Sequence, residues 1–241
     1  RELLDFQEKH QDIGVPYVPI ALLLDVSVPP PIMFAGAPFS GPVARWYKPR
    51  PIDIAWAQIK NGLYGLLVGA GHSAWTGLQE AGYYPPCYYP ELFDIIPSNA
   101  PAETFASYRQ IVAVGEGDWP CQIERIPVAN QFKTLAAALQ QFSPFERAAD
   151  LVMQINYREA DQTWIVGLYN PRGARRGDVQ NSGSILNPAF DVWETLLPKF
   201  KMKAARFLYG WPESTALEVR GESLHIHVGA GGMAILEVRQ T

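Results

Sequence analysis

Two groups of side chains carry enough chemistry to suggest a ligand. The first lies in residues 69–90, GAGHSAWTGLQEAGYYPPCYYP, and just beyond them. His72, Trp75, Tyr83, Tyr84, Tyr88, Tyr89 and Phe93 fall close together there, with Glu80 and Glu91 among them. Aromatic faces stack on the apolar C–H surface of sugars, and carboxylates accept from sugar hydroxyls. The same rings would serve to cap a core or seal an interface, where Tyr and Trp are enriched. Both uses stay open. The second group is Asp25, Glu116 and Asp118, each just past an apolar run of strand length. In open α/β sheets the crevice beyond the carboxyl ends of the strands is the usual ligand site. Two carboxylates meeting there could split their pKa values and act as acid and base. Solvated strand ends or helix caps are the plainer account of them.

Smaller motifs add little. His225 and His227 are two apart, a spacing that can ligate a metal. No third ligand is near in sequence, so a solvated strand face is expected, with no metal. Arg172, Arg175 and Arg176 in NPRGARRGD form a basic turn, which could meet an anionic sugar but reads first as surface. The Arg176-Gly177-Asp178 tripeptide is short enough to arise by chance. GAGHSAWTG lacks the third glycine of a dinucleotide fingerprint, and no G-x-S-x-G elbow surrounds Ser73. No cofactor is implied. Cys87 and Cys121 cannot make a disulfide framework or a four-ligand zinc site; they could form one bridge, and two buried free thiols are the plainer expectation.

The elements that would position these groups divide by texture near residue 145. Residues 1–11 have helical apolar spacing, with Gly14 as a candidate stop. Residues 17–25, YVPIALLLD, are a continuous apolar run of the kind covered on both faces in a parallel sheet. Residues 29–50 are a proline-rich loop, and 51–67 are the strongest helix pattern, opened by Pro51. Residues 91–96 and 108–115 supply two more strands. Beyond 145 the pattern is short alternating strands: 150–157, 164–169, 204–209, 216–219, 223–228 and 234–238. In Ser223–Val228 the alternation is strict, with Leu, Ile and Val on one face and Ser, His and His on the other. Gly229–Gly232 reads as a glycine turn, with the returning strand after it. The expected fold is α/β followed by all-β: a flavodoxin-like layer over 1–145, then an antiparallel β-sandwich over 146–241.

Composition narrows the function classes. The chain has 241 residues, 48% of them apolar and 18% charged, which is globular. Lys plus Arg is 20 against 24 Asp plus Glu, a net charge of −4, so no broad nucleic-acid footprint is expected. No apolar run reaches the length of a membrane span. Residues 1–10 read as the end of a helix already under way, so a longer parent protein is expected. Nothing in the residues encodes export, although an extracellular or periplasmic parent would suit a polysaccharide substrate.

Three segments resemble a known family. SLHIHVGAGGMAILEV is similar to the last hairpin of the β-sandwich that ends many glycoside hydrolases, and TWIVGLYNPRG resembles a strand and turn earlier in such modules. GVPYVPIALLLD, followed by ELFDII and YRQIVAVGE, resembles the glutamine-amidotransferase-like α/β domain. That domain follows the catalytic barrel in β-galactosidases of glycoside hydrolase family 42 and their relatives, where it supports oligomers. The resemblance implies a non-catalytic C-terminal portion that shapes an active-site mouth, with carbohydrate, an upstream catalytic domain and further copies of the chain as partners. It also implies that the two catalytic glutamates lie upstream, since no residue here matches them. The amidotransferase cysteine elbow is absent, because Cys87 sits in PPCYYP and Cys121 in WPCQI. A self-contained enzyme using Asp25, Glu116 and Asp118, or a ligand-free assembly module, are the rival expectations.

Overall fold

The computed structural model describes residues 2–24, 92–97, 99–114, 137–147, 151–170, 172–176 and 184–241. In chain order the elements are helix α1 (Glu2–Lys9) and strands β1 (Val15–Pro16), β2 (Ile20–Leu24), β3 (Phe93–Pro97), β4 (Gln110–Val114), β5 (Phe145–Arg147), β6 (Val152–Arg158), β7 (Thr163–Tyr169), β8 (Ala174–Arg176), β9 (Ser184–Leu186), β10 (Val192–Pro198), β11 (Met202–Trp211), β12 (Ala216–Arg220), β13 (Ser223–Val228) and β14 (Met233–Gln240). A short helical stretch covers 137–142. The described residues are thus mostly antiparallel β-sheet. They fall into two compact units. One holds residues 2–17, 92 and 142–241, and the other holds 18–24, 93–114 and 137–141 as far as these are described.

In the larger unit a five-stranded sheet runs β1-β6-β7-β14-β11 and a four-stranded sheet runs β12-β13-β10-β5. Every pairing in both is antiparallel. Alternation decides which face is covered. Leu224, Ile226 and Val228 of β13 are buried, as are Ala234, Leu236 and Val238 of β14. Aromatic rings join the two sheets at one end. Phe145 of β5 meets Trp164 of β7 edge-on at 6.4 Å, and Phe200 stacks on Trp164 at 5.7 Å. The Trp164 indole N–H donates to Gln240 Oε1 at 3.2 Å, so the large ring is buried with its polar atom satisfied.

Three local expectations need correction here. β14 does not return beside β13. It pairs with β7 and β11, while β13 pairs with β10 and β12, so Gly229–Gly232 carries the chain from one sheet to the other. A four-residue glycine-rich link has the freedom for either path, and the burial of both strands on facing sides selects the arch. Gly14 does not stop α1, which ends at Lys9. Its φ of +73° lets the chain turn in against β6, where a Cβ would lie 2.6 Å from the Tyr157 carbonyl oxygen. The apolar run 17–25 is also shared. Pro16 pairs with Asn156 and the Tyr17 N–H donates to the Ile155 carbonyl, so β2 begins only at Ile20.

The smaller unit has a parallel three-stranded sheet in the order β3-β2-β4. Ile20 to Leu23 are fully buried, as a strand covered on both faces requires. On one side Ala21 and Leu23 pack with Phe105 and Ala113. The Tyr108 hydroxyl donates to Asp94 Oδ2 at 2.6 Å. Its pKa is pushed up to about 12, by burial first and then by the Asp94 carboxylate that holds its proton. The helix pattern at 51–67 lies outside the described residues.

Candidate functional site

Among the described residues, the most exposed large aromatic ring near polar chemistry is on the outer face of the four-stranded sheet. In antiparallel pairs, residues directly opposite share a face. Trp193 of β10 stands opposite His227 of β13, which stands opposite Ala216 of β12. Thr195, His225 and Glu218 form the next row. Val192–Pro198 alternates so that Leu196 and Glu194 turn to the core while Trp193, Thr195 and Leu197 turn outward. Trp193 is 59% exposed, although burying such a ring would be worth several kcal/mol. The His227 ring lies against it, with centroids 5.0 Å apart.

Hydrogen bonds lock the polar groups of this face. A backbone carbonyl only accepts, so His227 Nδ1, 2.6 Å from the Ser214 carbonyl, carries the proton. Its Nε2 lies 3.4 Å from Asp191 Oδ2, and Asp191 Oδ1 accepts from the Ala230 N–H at 2.8 Å. Ser223 donates its hydroxyl to the Arg220 carbonyl, so it accepts from His225 Nε2 at 3.0 Å. His225 Nδ1 is then left to accept from the Thr195 hydroxyl at 3.2 Å. Both nitrogens of His225 thus hydrogen-bond within the protein, while His227 spends Nδ1 on Ser214 and turns Nε2 toward the Asp191 carboxylate. A hydrogen bond from Arg220, with its charge, holds the exposed Glu218 carboxyl below the usual range. The face is an aromatic plate beside fixed hydroxyl, imidazole and carboxylate groups. Such a surface suits stacking and hydrogen bonding, and it presents no activated nucleophile.

One buried side chain holds the loops at the Trp193 end. Asn170 follows β7 and is fully buried. Its Nδ2 donates toward the carbonyls of Phe190 at 2.9 Å and of Val228 and Gly229 at 3.2 Å each. Its Oδ1 accepts from the Arg172 N–H at 3.2 Å. Gly173, at φ +71°, fits beneath Phe190 and Ala230, where a Cβ would come within 2.6 and 2.8 Å of their Cβ atoms. Asn170 thus ties the 188–191 turn and the 229–232 arch to one strand end, and these carry Asp191 and Ala230.

Most residues singled out from sequence fall elsewhere. Asp25, His72, Trp75, Glu80, Tyr83, Tyr84, Tyr88, Tyr89, Glu91, Glu116 and Asp118 lie outside the described residues, as do Cys87, Cys121 and Asp178. Phe93 is buried at the start of β3. Arg175 and Arg176 lie in β8, whose backbone pairs with β9. The carboxyl ends of β2 and β4 are neighbours, with Leu24 opposite Val114. Trp193 was not anticipated. The period-two pattern of VWETLLP was present, but a glutamate at a core position broke its apolar half. Among the described residues no group of three or more His, Cys, Asp or Glu side chains could hold a metal ion. Among them, too, no helix is long and apolar enough to cross a membrane.

No protein-family model matches the chain, and no curated protein does. Among solved structures, the chain is similar to an α-L-fucosidase isoenzyme 2 from Paenibacillus thiaminolyticus, at TM-score 0.24 and 14% identity over 46% of this chain and 18% of that one. The catalytic domain of a GH30 xylanase C from Talaromyces cellulolyticus matches at TM-score 0.27 and 12% identity, over 69% and 33%. CelM2, a bifunctional glucanase-xylanase from a metagenome library, matches at TM-score 0.28 and 10% identity, over 76% and 40%. These neighbours are glycoside hydrolases, and the chain spans well under two thirds of each. So shallow a likeness decides neither fold nor activity.

Proposed function

We propose that this chain is the non-catalytic C-terminal portion of a carbohydrate-active enzyme, and that the outer face around Trp193 contacts carbohydrate. The parent would be a glycoside hydrolase resembling family 42 β-galactosidases and their relatives. Within 1–145, β2 to β4 would belong to a reduced amidotransferase-like layer, and 146–241 would be the C-terminal sandwich, to which β1 and β5 add their strands. The strand order β3-β2-β4 matches the first three strands of a flavodoxin-like sheet and favours that layer. Its aromatic loop at 72–93 would shape the active-site mouth, and the module would support an oligomer. The observation that carries the proposal is Trp193, exposed yet backed by His227 and flanked by fixed polar groups.

The test is affinity electrophoresis of the full chain in gels containing β-glucan, xylan or galactan. Retention is expected in at least one. Trp193→Ala should weaken it roughly threefold to tenfold, the effect of losing one stacking ring. Unchanged retention in a folded Trp193→Ala protein would remove this face from the proposal. A second reading, a self-contained enzyme, draws on the adjacent ends of β2 and β4. It requires glycoside hydrolysis by this chain alone, lost in Glu116→Gln.

A further inference from the structure

A separate charged group lies on the outer face of the five-stranded sheet. Glu237 of β14 is only 5% exposed, and three guanidinium groups converge on it. Its Oε2 accepts from Arg206 Nη2 at 3.0 Å and lies 3.4 Å from Arg158 Nη2. Its Oε1 accepts from Arg239, whose Nε and Nη2 are each 3.2 Å away. Strand register brings these residues onto one face. Arg206 is directly opposite Glu237, and Arg239 is two residues along the same face. Arg158 shares the row of Arg239, across Thr163 of β7.

The three arginines are not equivalent. Arg158 is committed to the fold. It also makes a two-pronged pair with Asp161, at 2.9 and 2.8 Å, and donates Nη1 to the Asp12 carbonyl at 2.8 Å. Those bonds hold Asp161 down at about 2, so it is ionised through the neutral range. Arg206 and Arg239 have side chains that are 60% and 48% exposed. Arg206 commits one guanidinium nitrogen to Glu237 and Arg239 commits two, while each guanidinium carries five N–H donors. One buried carboxylate is neutralised by one guanidinium. Asp161, Asp12 and Glu237 act on Arg158, so the basic character of this edge comes from the outward guanidiniums of Arg206 and Arg239 and from the exposed Lys201 and Lys203, on or beside the same edge strand. These four exposed basic side chains stand on a chain of net charge −4.

We infer that Arg206 and Arg239 form a site for the carboxylate of a uronic-acid-bearing polysaccharide, with buried Glu237 as the anchor that holds both guanidiniums in place. This deepens the proposed function and rests on it: the glycan met by this module would be acidic. The planar guanidinium fork matches a carboxylate in a two-pronged fashion that a lysine does not reproduce. The anchor removes rotamer freedom before the ligand arrives, so little ordering cost is left at binding.

The experiment is affinity electrophoresis of the full chain in gels containing polygalacturonate, unsubstituted β-glucan, xylan or polyacrylate. Polygalacturonate should retain the chain most, and added sodium chloride should weaken that retention. Arg206→Gln with Arg239→Gln should lower it tenfold or more, while Arg206→Lys with Arg239→Lys should recover only part. Arg158 still faces Glu237 in these variants, and their thermal midpoints report folding. If the double variant does not fold, Arg206→Gln alone carries the test. Equal retention by polyacrylate would overturn the inference in favour of general polyanion adsorption. Equal retention by β-glucan, or none lost in the double variant, would also overturn it, while Trp193-dependent retention of a neutral glycan would leave the proposed function standing. Retention in no glycan gel would overturn both.

Discussion

Asn170 is the side chain whose replacement should be most informative. It is fully buried, and its amide orientation is dictated by its neighbours: three carbonyl oxygens face one end and an N–H faces the other. Asn170→Ala removes two donor hydrogens and one acceptor. At about 1 kcal/mol net for each of three hydrogen bonds, the loss should be about 3 kcal/mol. Asn170→Asp keeps the volume and the acceptor for Arg172, but it sets a carboxylate oxygen against carbonyls now 2.9 to 3.2 Å away. A buried charge facing only acceptors costs more than an absent donor, so Asp should be worse than Ala at pH 7. Protonation restores one O–H donor, so the gap should narrow as pH falls towards 4.5. Urea unfolding of the full chain, followed by tryptophan fluorescence, gives the midpoints. An aspartate variant as stable as the parent at pH 7, with unchanged slope, would refute the donor network and the pinning role drawn from it.

Further outcomes follow from single positions. Gly173→Ala combines a positive φ with overlap against the Cβ atoms of Phe190 and Ala230, and should cost roughly 2–5 kcal/mol by urea midpoint. Gly221→Ala is its control: φ is +61° but nothing lies within 4 Å, so about 1 kcal/mol is expected, and equal losses would show that overlap is not the cause. Tyr108 holds its proton up to about 12 when folded but only to about 10 when unfolded, so its contribution is complete below pH 10 and lost as pH rises towards 12. Alkaline unfolding of Tyr108→Phe should therefore be less steep over that window, and identical curves would contradict the Asp94 pairing.

How much of this was readable without coordinates depends on the range of the interaction. Ser223–Val228 declared its covered face because side chains alternate whatever the partner strand is, and the structure buries Leu224, Ile226 and Val228 as that period requires. The unbroken apolar stretch of β2 likewise announced a strand covered on both faces, and it lies between parallel neighbours. These are local consequences of backbone geometry. Partner choice is not local. The glycine link before β14 permitted a hairpin or an arch, and only burial against the opposite sheet selected the arch. Pro16 and Tyr17 looked like the start of β2, yet they pair with β6, whose residues lie far along the chain.

The candidate sites divide the same way. Sequence marked His225 and His227 as sharing a face, because two residues on one strand must, but it could not assign Asp191, Ser214 and Thr195 as the partners of their ring nitrogens. Trp193 was hidden by Glu194, a polar residue at a core position. Arg239 shares a face with Glu237 because it lies two residues along β14, but Arg158 and Arg206 come from β6 and β11, and no spacing along the chain predicts their arrival. Residue type and period thus determined strand faces, apolar content and the supply of sugar-compatible side chains. Register between distant strands decided which of those side chains meet. Hydrogen-bonded pairing acts through space, and a one-residue shift in it would turn every such contact to the opposite face.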